Sequence, residues 1–234
     1  MKPALVLLHG LFGNLSNWKY VIEYFGNDFD IHTPELPILD EDKKNDLDYL
    51  VDSVHTYVKK HNLVNLIIVG NSLGGHVGIL YTYKYANVKK LVLTGSSGLY
   101  ENNMLGTFPR RHDYDYIRQR VEYTFYDPST ATPQLIQEVF SIVSDNKKCF
   151  QIIKTARTAQ RNYTVEELRN IKIPTLLIWG KEDKITPINV AEEFKLLLSN
   201  SSLFYIDECG HAPMMEKPSV FNKILESFLE VDML

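Results

Sequence analysis

The chain alternates continuous apolar runs with stretches whose apolar residues recur every three or four positions. Residues 4–8 read Ala-Leu-Val-Leu-Leu, and a run with no polar alternation predicts a strand buried on both faces, as in parallel sheets. Similar runs at 64–69, 90–94, 175–179 and 202–206 predict further strands, with a shorter one at 29–33 ending before Pro34 and Pro37. Between them the spacing turns helical. Leu15, Trp18, Val21, Ile22 and Phe25 form one such face; Leu47, Leu50, Val51, Val54, Tyr57 and Val58, within a helix expected from Asp46, form another. A helix is expected over 73–85, and the last one carries Val220, Phe221, Ile224, Leu225, Phe228 and Leu229. Thr186 before Pro187 reads as an N-cap followed by proline in the first helical position. Alternating strands and helices predict an α/β domain with a mostly parallel sheet of about six strands.

From about 99 to 171 the pattern changes. No strand-like run appears, but Thr132-Pro133 opens an apolar-periodic stretch through Val143, and Thr164 with Glu167 has capping-box spacing. This segment is expected to be a helical lid (cap) inserted over the carboxyl edge of a sheet, with residues 1–98 and 172–234 forming the core.

Composition narrows the function classes. The 234 residues are 44% hydrophobic and 23% charged, with a net charge of −4 and no basic run. The electrostatic footprint of a nucleic-acid binder is absent. Cys149 and Cys209 form no C-x-x-C pair, so neither a disulfide framework nor a zinc site is indicated. The apolar run at the N-terminus is shorter than a signal-peptide core and no run has the length of a membrane span. A cytoplasmic protein without a membrane or nucleic-acid partner is expected, as a monomer or homodimer.

The chemistry centres on Gly70-Asn71-Ser72-Leu73-Gly74, which follows the 64–69 strand and precedes the 73–85 helix. A serine on a sharp strand-to-helix turn needs small residues two positions to either side. Its hydroxyl then stands above the sheet, facing the N–H groups and positive dipole end of the next helix. Serine also needs a base to take its proton. Two later strand ends carry candidates: Gly180-Lys181-Glu182-Asp183 and Cys209-Gly210-His211.

Four blocks, His9-Gly10-Leu11-Phe12-Gly13, Gly70 to Gly75, Trp179 to Asp183, and Cys209-Gly210-His211 through Glu216 and Pro218, together resemble the signature blocks of the α/β-hydrolase superfamily. Within it they are similar to compact carboxylesterases and meta-cleavage-product hydrolases. The resemblance implies the α/β-hydrolase fold and a metal-free, cofactor-free mechanism. Ser72 would be the nucleophile, His211 the general base and acid, and Asp183 the residue that fixes the imidazole tautomer. It also implies an oxyanion hole from the N–H groups of Leu73 and Leu11, with Phe12 as the alternative to Leu11. Phe12, Ser96 and Ser97 are expected in the substrate pocket.

His9 is expected to be structural beneath the oxyanion loop, and His76 to pack or line the pocket. His32, His55, His61 and His112 carry no pattern, and Cys209 reads as a buried structural thiol. Ser72 argues against epoxide hydrolases and haloalkane dehalogenases, which place aspartate at the turn. Carbon–carbon bond hydrolases are the harder competitor. Where they carry tryptophan after the catalytic histidine this chain has Ala212, and where their lid offers arginine it has Val139. Arg110, Arg111 and Arg157 remain as lid cations that could meet an acidic substrate. The favoured expectation is hydrolysis of a small-molecule carboxylic ester through an acyl-enzyme. The alternatives are carbon–carbon bond hydrolysis or lyase chemistry, and a non-enzymatic ligand sensor.

Overall fold

The computed structural model describes residues 2–13, 18–40, 47–102 and 108–230. Leu15 and Asp46, both expected at helix starts, lie outside the described residues. Six strands, β1 (Ala4–Leu8), β2 (Asp30–His32), β3 (Leu66–Asn71), β4 (Val88–Thr94), β5 (Thr175–Gly180) and β6 (Ser201–Ile206), form one sheet in the order β2-β1-β3-β4-β5-β6. Every pairing is parallel. The apolar runs explain this arrangement, since β1, β3 and β5 are buried along their whole length. Strand β3 starts two residues later than its apolar run because Asn65 takes a left-handed φ of 53°, which ends a turn rather than continuing a strand.

Helix α1 (Lys19–Phe25) packs on α9 (Pro213–Glu216) and α10 (Pro218–Glu230) on one face. On the other, α2 (Leu47–Lys60) packs on α3 (Leu73–Lys84), and α8 (Ile188–Leu197) covers β5 and β6. Helix α3 has no polar stripe: Leu73 through Ile79 and Tyr81 are all buried. It lies so close to the sheet that a Cβ at Gly74 would collide with the carbonyl of Leu8, so only glycine fits there. Lys90 is a buried cation in β4. Its ammonium donates to the carbonyls of Phe228 (2.9 Å) and Leu229 (3.1 Å), closing the carboxyl end of α10 with a cation.

Between β4 and β5 run α4 (Tyr114–Glu122), a 3-10 turn (Pro128–Thr130), α5 (Pro133–Ser144), α6 (Asn146–Arg161), α7 (Val165–Asn170), and no described strand. Helices α4, α5 and α6 pack in succession, while α6 reaches α2 and α7 reaches α3. Thr132 caps α5 as its sequence suggests, accepting from Leu135 N at 3.2 Å. Thr164 does not complete a capping box. Its hydroxyl donates to Gly98 O at 2.9 Å, tying α7 to the segment that leaves β4. Among the described residues, no helix is long and apolar enough to cross a membrane.

Candidate active site

Strand β1 leads to β2 on one side of the sheet, whereas β3 lies on its other side. Their carboxyl ends therefore flank the crevice where open α/β sheets bind ligands. The turns that leave these two ends are Gly10-Leu11-Phe12 and Asn71-Ser72. A Cβ at Gly10 would sit 3.2 Å from Ser72 Cβ, which measures how closely the two loops approach.

Ser72 has φ 55° and ψ −122°, a region that residues with a side chain rarely occupy. The surroundings hold it there. Its N–H donates to Thr94 O (3.2 Å), and its carbonyl accepts from the N–H groups of Gly75 (3.0 Å), His76 (3.2 Å) and Ser97 (3.1 Å). Leu73 opens α3, where backbone N–H groups lack helical partners. Among the described residues, neither the Leu73 nor the Leu11 N–H is given to a backbone carbonyl.

Asp183 and His211 arrive from the ends of β5 and β6, and both are buried. Asp183 Oδ1 accepts from the N–H groups of Ile185 (2.8 Å) and Thr186 (2.9 Å). Its Oδ2 accepts from Thr186 Oγ1 (2.8 Å) and pairs with His211 Nδ1 at 2.9 Å. This use of its hydroxyl overturns the expected cap: Thr186 serves the carboxylate, and α8 begins one residue later with Pro187 as N-cap. The remaining nitrogen, His211 Nε2, is buried without a hydrogen-bond partner, in the cavity that Ser72 also lines. Burial acts to lower the His211 pKa, but the Asp183 carboxylate, helped by Glu101 and Glu216, outweighs it and raises the group above an ordinary histidine.

The loop bearing His211 is held from several sides. Asn71 Nδ2 donates to both Thr94 O (3.0 Å) and His211 O (3.1 Å). The His211 N–H donates to Thr124 O at 3.0 Å. Glu216 accepts from Gly210 N (2.9 Å) with one oxygen and from Tyr126 N (2.7 Å) with the other. Sequence reasoning gave neither Asn71 nor Glu216 a role.

The cavity, about 110 Å³, is lined by Leu11, Phe12 and Phe108 at one wall and by Ala212 and Met215 near the imidazole. Ile117, Arg120, Val121 and Thr124 line it from α4 and the residues just past its end, and Leu135 and Val139 from α5. Phe12 meets Phe108 edge-to-face at 6.0 Å. Ser96 and Ser97, expected in the pocket, do not line it. Left-handed turns at Gly95 and Gly98 fold this segment under α3, where Ser96 Oγ donates to Ser97 O at 2.8 Å and packs against Gly75. Arg110, Arg111 and Arg157 do not line the cavity either; Arg120, which sequence reasoning passed over, does. Its signal was readable, because 117, 120, 121 and 124 share the spacing of one helix face.

The other candidates sort on hydrogen bonding and charge. His9 Nε2 accepts from Leu36 N at 3.0 Å, so its Nδ1 carries the proton and donates to Gly10 O at 2.8 Å. It shapes the Gly10 loop and, with burial lowering its pKa, stays neutral. His76 lies off the cavity; burial lowers its pKa to about 4, so its Nε2 donates as neutral imidazole to Asn162 Oδ1 at 2.9 Å. Burial, with Glu216 and Asp183 nearby, pushes the Cys209 thiol well above the ordinary range, leaving it protonated. Among the described residues, no group of three or more His, Cys, Asp or Glu is placed to hold a metal ion.

Comparison with known proteins places this geometry. A solved alpha/beta hydrolase enzyme from the metagenome of lagoon sediments at Mar Chica, Morocco, is 34% identical, with a TM-score of 0.81 over 100% of this chain and 93% of that one. The 2-hydroxy-6-oxo-6-(2'-aminophenyl)hexa-2,4-dienoic acid hydrolase of Metapseudomonas resinovorans is 27% identical, covering 97% of this chain and 84% of its own length. A monoacylglycerol lipase of Mus musculus is 23% identical, over 97% of this chain and 76% of that protein. The model of the alpha/beta hydrolase family matches residues 5–224, nearly the whole of the sheet and its flanking helices, and the chain belongs to that family of hydrolases.

Proposed function

We propose that this hydrolase cleaves carboxylic esters through an acyl-enzyme on Ser72. The observation that carries the reading is the state of His211. Its Nδ1 is committed to Asp183 at 2.9 Å, while its Nε2 is buried and unpartnered in the cavity lined by Ser72. A neutral imidazole whose proton is fixed on Nδ1 has a lone pair on Nε2, which is what a serine hydroxyl needs. In unliganded sites that last contact commonly tightens only when substrate is present.

In this reading Ser72 Oγ attacks the ester carbonyl carbon as its proton passes to His211 Nε2. The oxyanion that forms is met by the N–H groups of Leu11 and Leu73. Collapse of the intermediate breaks the bond to the alcohol oxygen, which takes the proton from His211 and leaves. Water then attacks the acyl group, giving its proton to the imidazole, and collapse of this second intermediate breaks the bond to Ser72 Oγ, which takes the proton back from His211 as the acid leaves. Asp183 stays ionised throughout and stabilises the imidazolium. The helices of 99–171 act as a lid, their apolar residues excluding water from the acyl pocket.

Carbon–carbon bond hydrolysis is the second reading, supported by the dienoic acid hydrolase among the relatives. Ala212 beside His211, in place of that family's tryptophan, favours the ester. The test is hydrolysis of p-nitrophenyl butyrate by the parent and by Ser72→Ala, with an expected loss of about 10⁴-fold or more in kcat. Equal turnover by the two proteins would eliminate Ser72 as nucleophile. Activity on a dienoic acid, with none on the ester, would select the second reading.

A further inference from the structure

Charge is spread unevenly over this chain. The protein as a whole is acidic, with a net charge of −4, and the expectation of no membrane partner averaged over its length. Helix α6 runs against that balance: it carries Lys147, Lys148, Lys154, Arg157 and Arg161 and no aspartate or glutamate. Positions 147, 150, 154, 157 and 161 are spaced alternately by three and four, which sets them in one stripe along the helix. Lys147, Phe150, Lys154, Arg157 and Arg161 are all exposed, and the stripe runs about 20 Å at 1.5 Å of rise per residue. The opposite face, with Cys149, Ile152, Ala156 and Ala159, is buried in the protein.

The fold itself gives this stripe no work. Asp145, the N-cap, faces Lys147 and Lys148 in the first turn, but Lys154, Arg157 and Arg161 make no ion pair among the described residues. Cations three and four positions apart repel one another. Phe150 stands among them 63% exposed, and Tyr163, just past the helix, is 57% exposed. At the other end the Arg111 guanidinium donates to Asn146 Oδ1, which carries the basic surface past the helix start. A layer of anionic phospholipid headgroups complements both features. Long lysine and arginine stems let the charges meet phosphates, while an aromatic ring reaches the apolar boundary beneath. A sulfated polyanion dissolved in water would meet the cations equally well, but it has no apolar layer to receive the ring. We propose that the exposed face of α6 docks this protein on anionic phospholipid membranes, with Lys154, Arg157 and Arg161 at the headgroups and Phe150 inserted between them. The contact is peripheral, because the apolar face of α6 is already packed against the protein. Helix α6 also packs on α5, which carries the cavity-wall residues Leu135 and Val139, so the docked face adjoins the helices over the site. Docking of this kind is independent of which bond Ser72 attacks.

Co-sedimentation with vesicles measures the docking. One set is phosphatidylcholine alone, and the other contains about 30% phosphatidylglycerol to supply the negative surface. The parent should bind the anionic vesicles in about 50 mM salt, leave the neutral ones in solution, and be released by roughly 0.5 M salt. The triple variant Lys154→Gln/Arg157→Gln/Arg161→Gln should weaken partitioning about 100-fold, roughly fivefold for each cation. Lys19→Gln/Lys89→Gln/Lys223→Gln removes the same charge from exposed positions elsewhere. It should stay within about threefold of the parent, which separates a local face from the effect of net charge. Phe150→Ala should lower vesicle binding about tenfold, the loss of a partly inserted ring, and leave retention on heparin unchanged. Circular-dichroism melts that match the parent show that these surface variants are folded. Failure of the parent to bind anionic vesicles at low salt overturns the proposal, as does an equal fall in the two triple variants. Vesicle binding by Phe150→Ala equal to the parent's, with heparin binding that depends on Lys154, Arg157 and Arg161, would assign the stripe to a dissolved polyanion and overturn the lipid reading.

Discussion

Replacing Asp183 by asparagine changes one atom and should nearly silence the enzyme, for a reason visible in the hydrogen bonds. Asp183 Oδ1 accepts from two backbone N–H groups, those of Ile185 and Thr186, at 2.8 and 2.9 Å. An amide at this position must keep its oxygen there. Turned the other way, its NH₂ would face two buried donors, each then costing about 1–3 kcal/mol. With the oxygen fixed, the NH₂ takes the place of Oδ2, facing Thr186 Oγ1 and His211 Nδ1. It can only donate to that imidazole nitrogen. The ring proton is thereby driven to Nε2, where the lone pair for Ser72 should be, and the negative charge that stabilises imidazolium is gone as well. Comparable loss of the acid in serine hydrolases lowers kcat about 10⁴-fold, or about 5 kcal/mol of transition-state stabilisation. Initial rates on p-nitrophenyl butyrate measure it, with a circular-dichroism melt to show that the variant is folded at the assay temperature. A folded Asp183→Asn protein with kcat within tenfold of the parent would refute the tautomer argument.

The pH dependence of kcat/KM should show activity rising through a value above 6.5, because His211 must be neutral to act and the Asp183 carboxylate holds it protonated longer than an ordinary histidine. The same shift contributes stability that is fully present below the unfolded histidine value and is lost as pH rises through the folded one, so activity gains what the fold loses. Glu101→Gln removes one of the charges that raise His211 and should move the acid limb to lower pH; an unmoved limb would show that Glu101 has no electrostatic part. Gly74→Ala forces a Cβ onto the Leu8 and His9 carbonyls. It should cost at least about 1–3 kcal/mol, a fall in melting temperature of roughly 2–12 °C, and an unchanged melt would mean that α3 and β1 separate without strain.

The sheet was legible because its signal is simple: β1, β3 and β5 are buried along their length and stand out as apolar runs. The turn at Ser72 was legible because strand, small residues and helix adjoin it in the chain. What escaped were choices between partners. Thr186 is a sound cap by residue type, yet a carboxylate three positions back outcompetes the helix N–H groups for its neighbourhood, and no local pattern encodes that contest. Thr164 likewise gives its hydroxyl to Gly98, a residue far away in sequence. Ser96 and Ser97 were placed by the rule that ligands sit at strand ends. Positive φ at Gly95 and Gly98 then turned the chain beneath α3, a consequence of backbone freedom that composition does not reveal. Arg120 shares the helix-face spacing of Ile117, Val121 and Thr124, but spacing alone does not say which face of α4 a cavity exposes.

Thr186 apart, these misses lie between the end of β4 and the start of α7, where the helices that follow β4 meet the sheet. The imidazole is attached to both. On the sheet side, one amide, Asn71 Nδ2, binds the carbonyls of Thr94 and His211, so the residue before the serine sets the height of the base. On the helical side, Thr124 O takes the His211 N–H, and Glu216 joins Gly210 to Tyr126. Thr124 is also a wall of the cavity, one turn from Arg120. Thr124 therefore ties the cavity wall just past α4 to the loop that carries His211, while Asn71 holds that loop to the end of β4. Cavity wall and base position are thus held by the same few backbone atoms, those of Thr124, Gly210 and Tyr126.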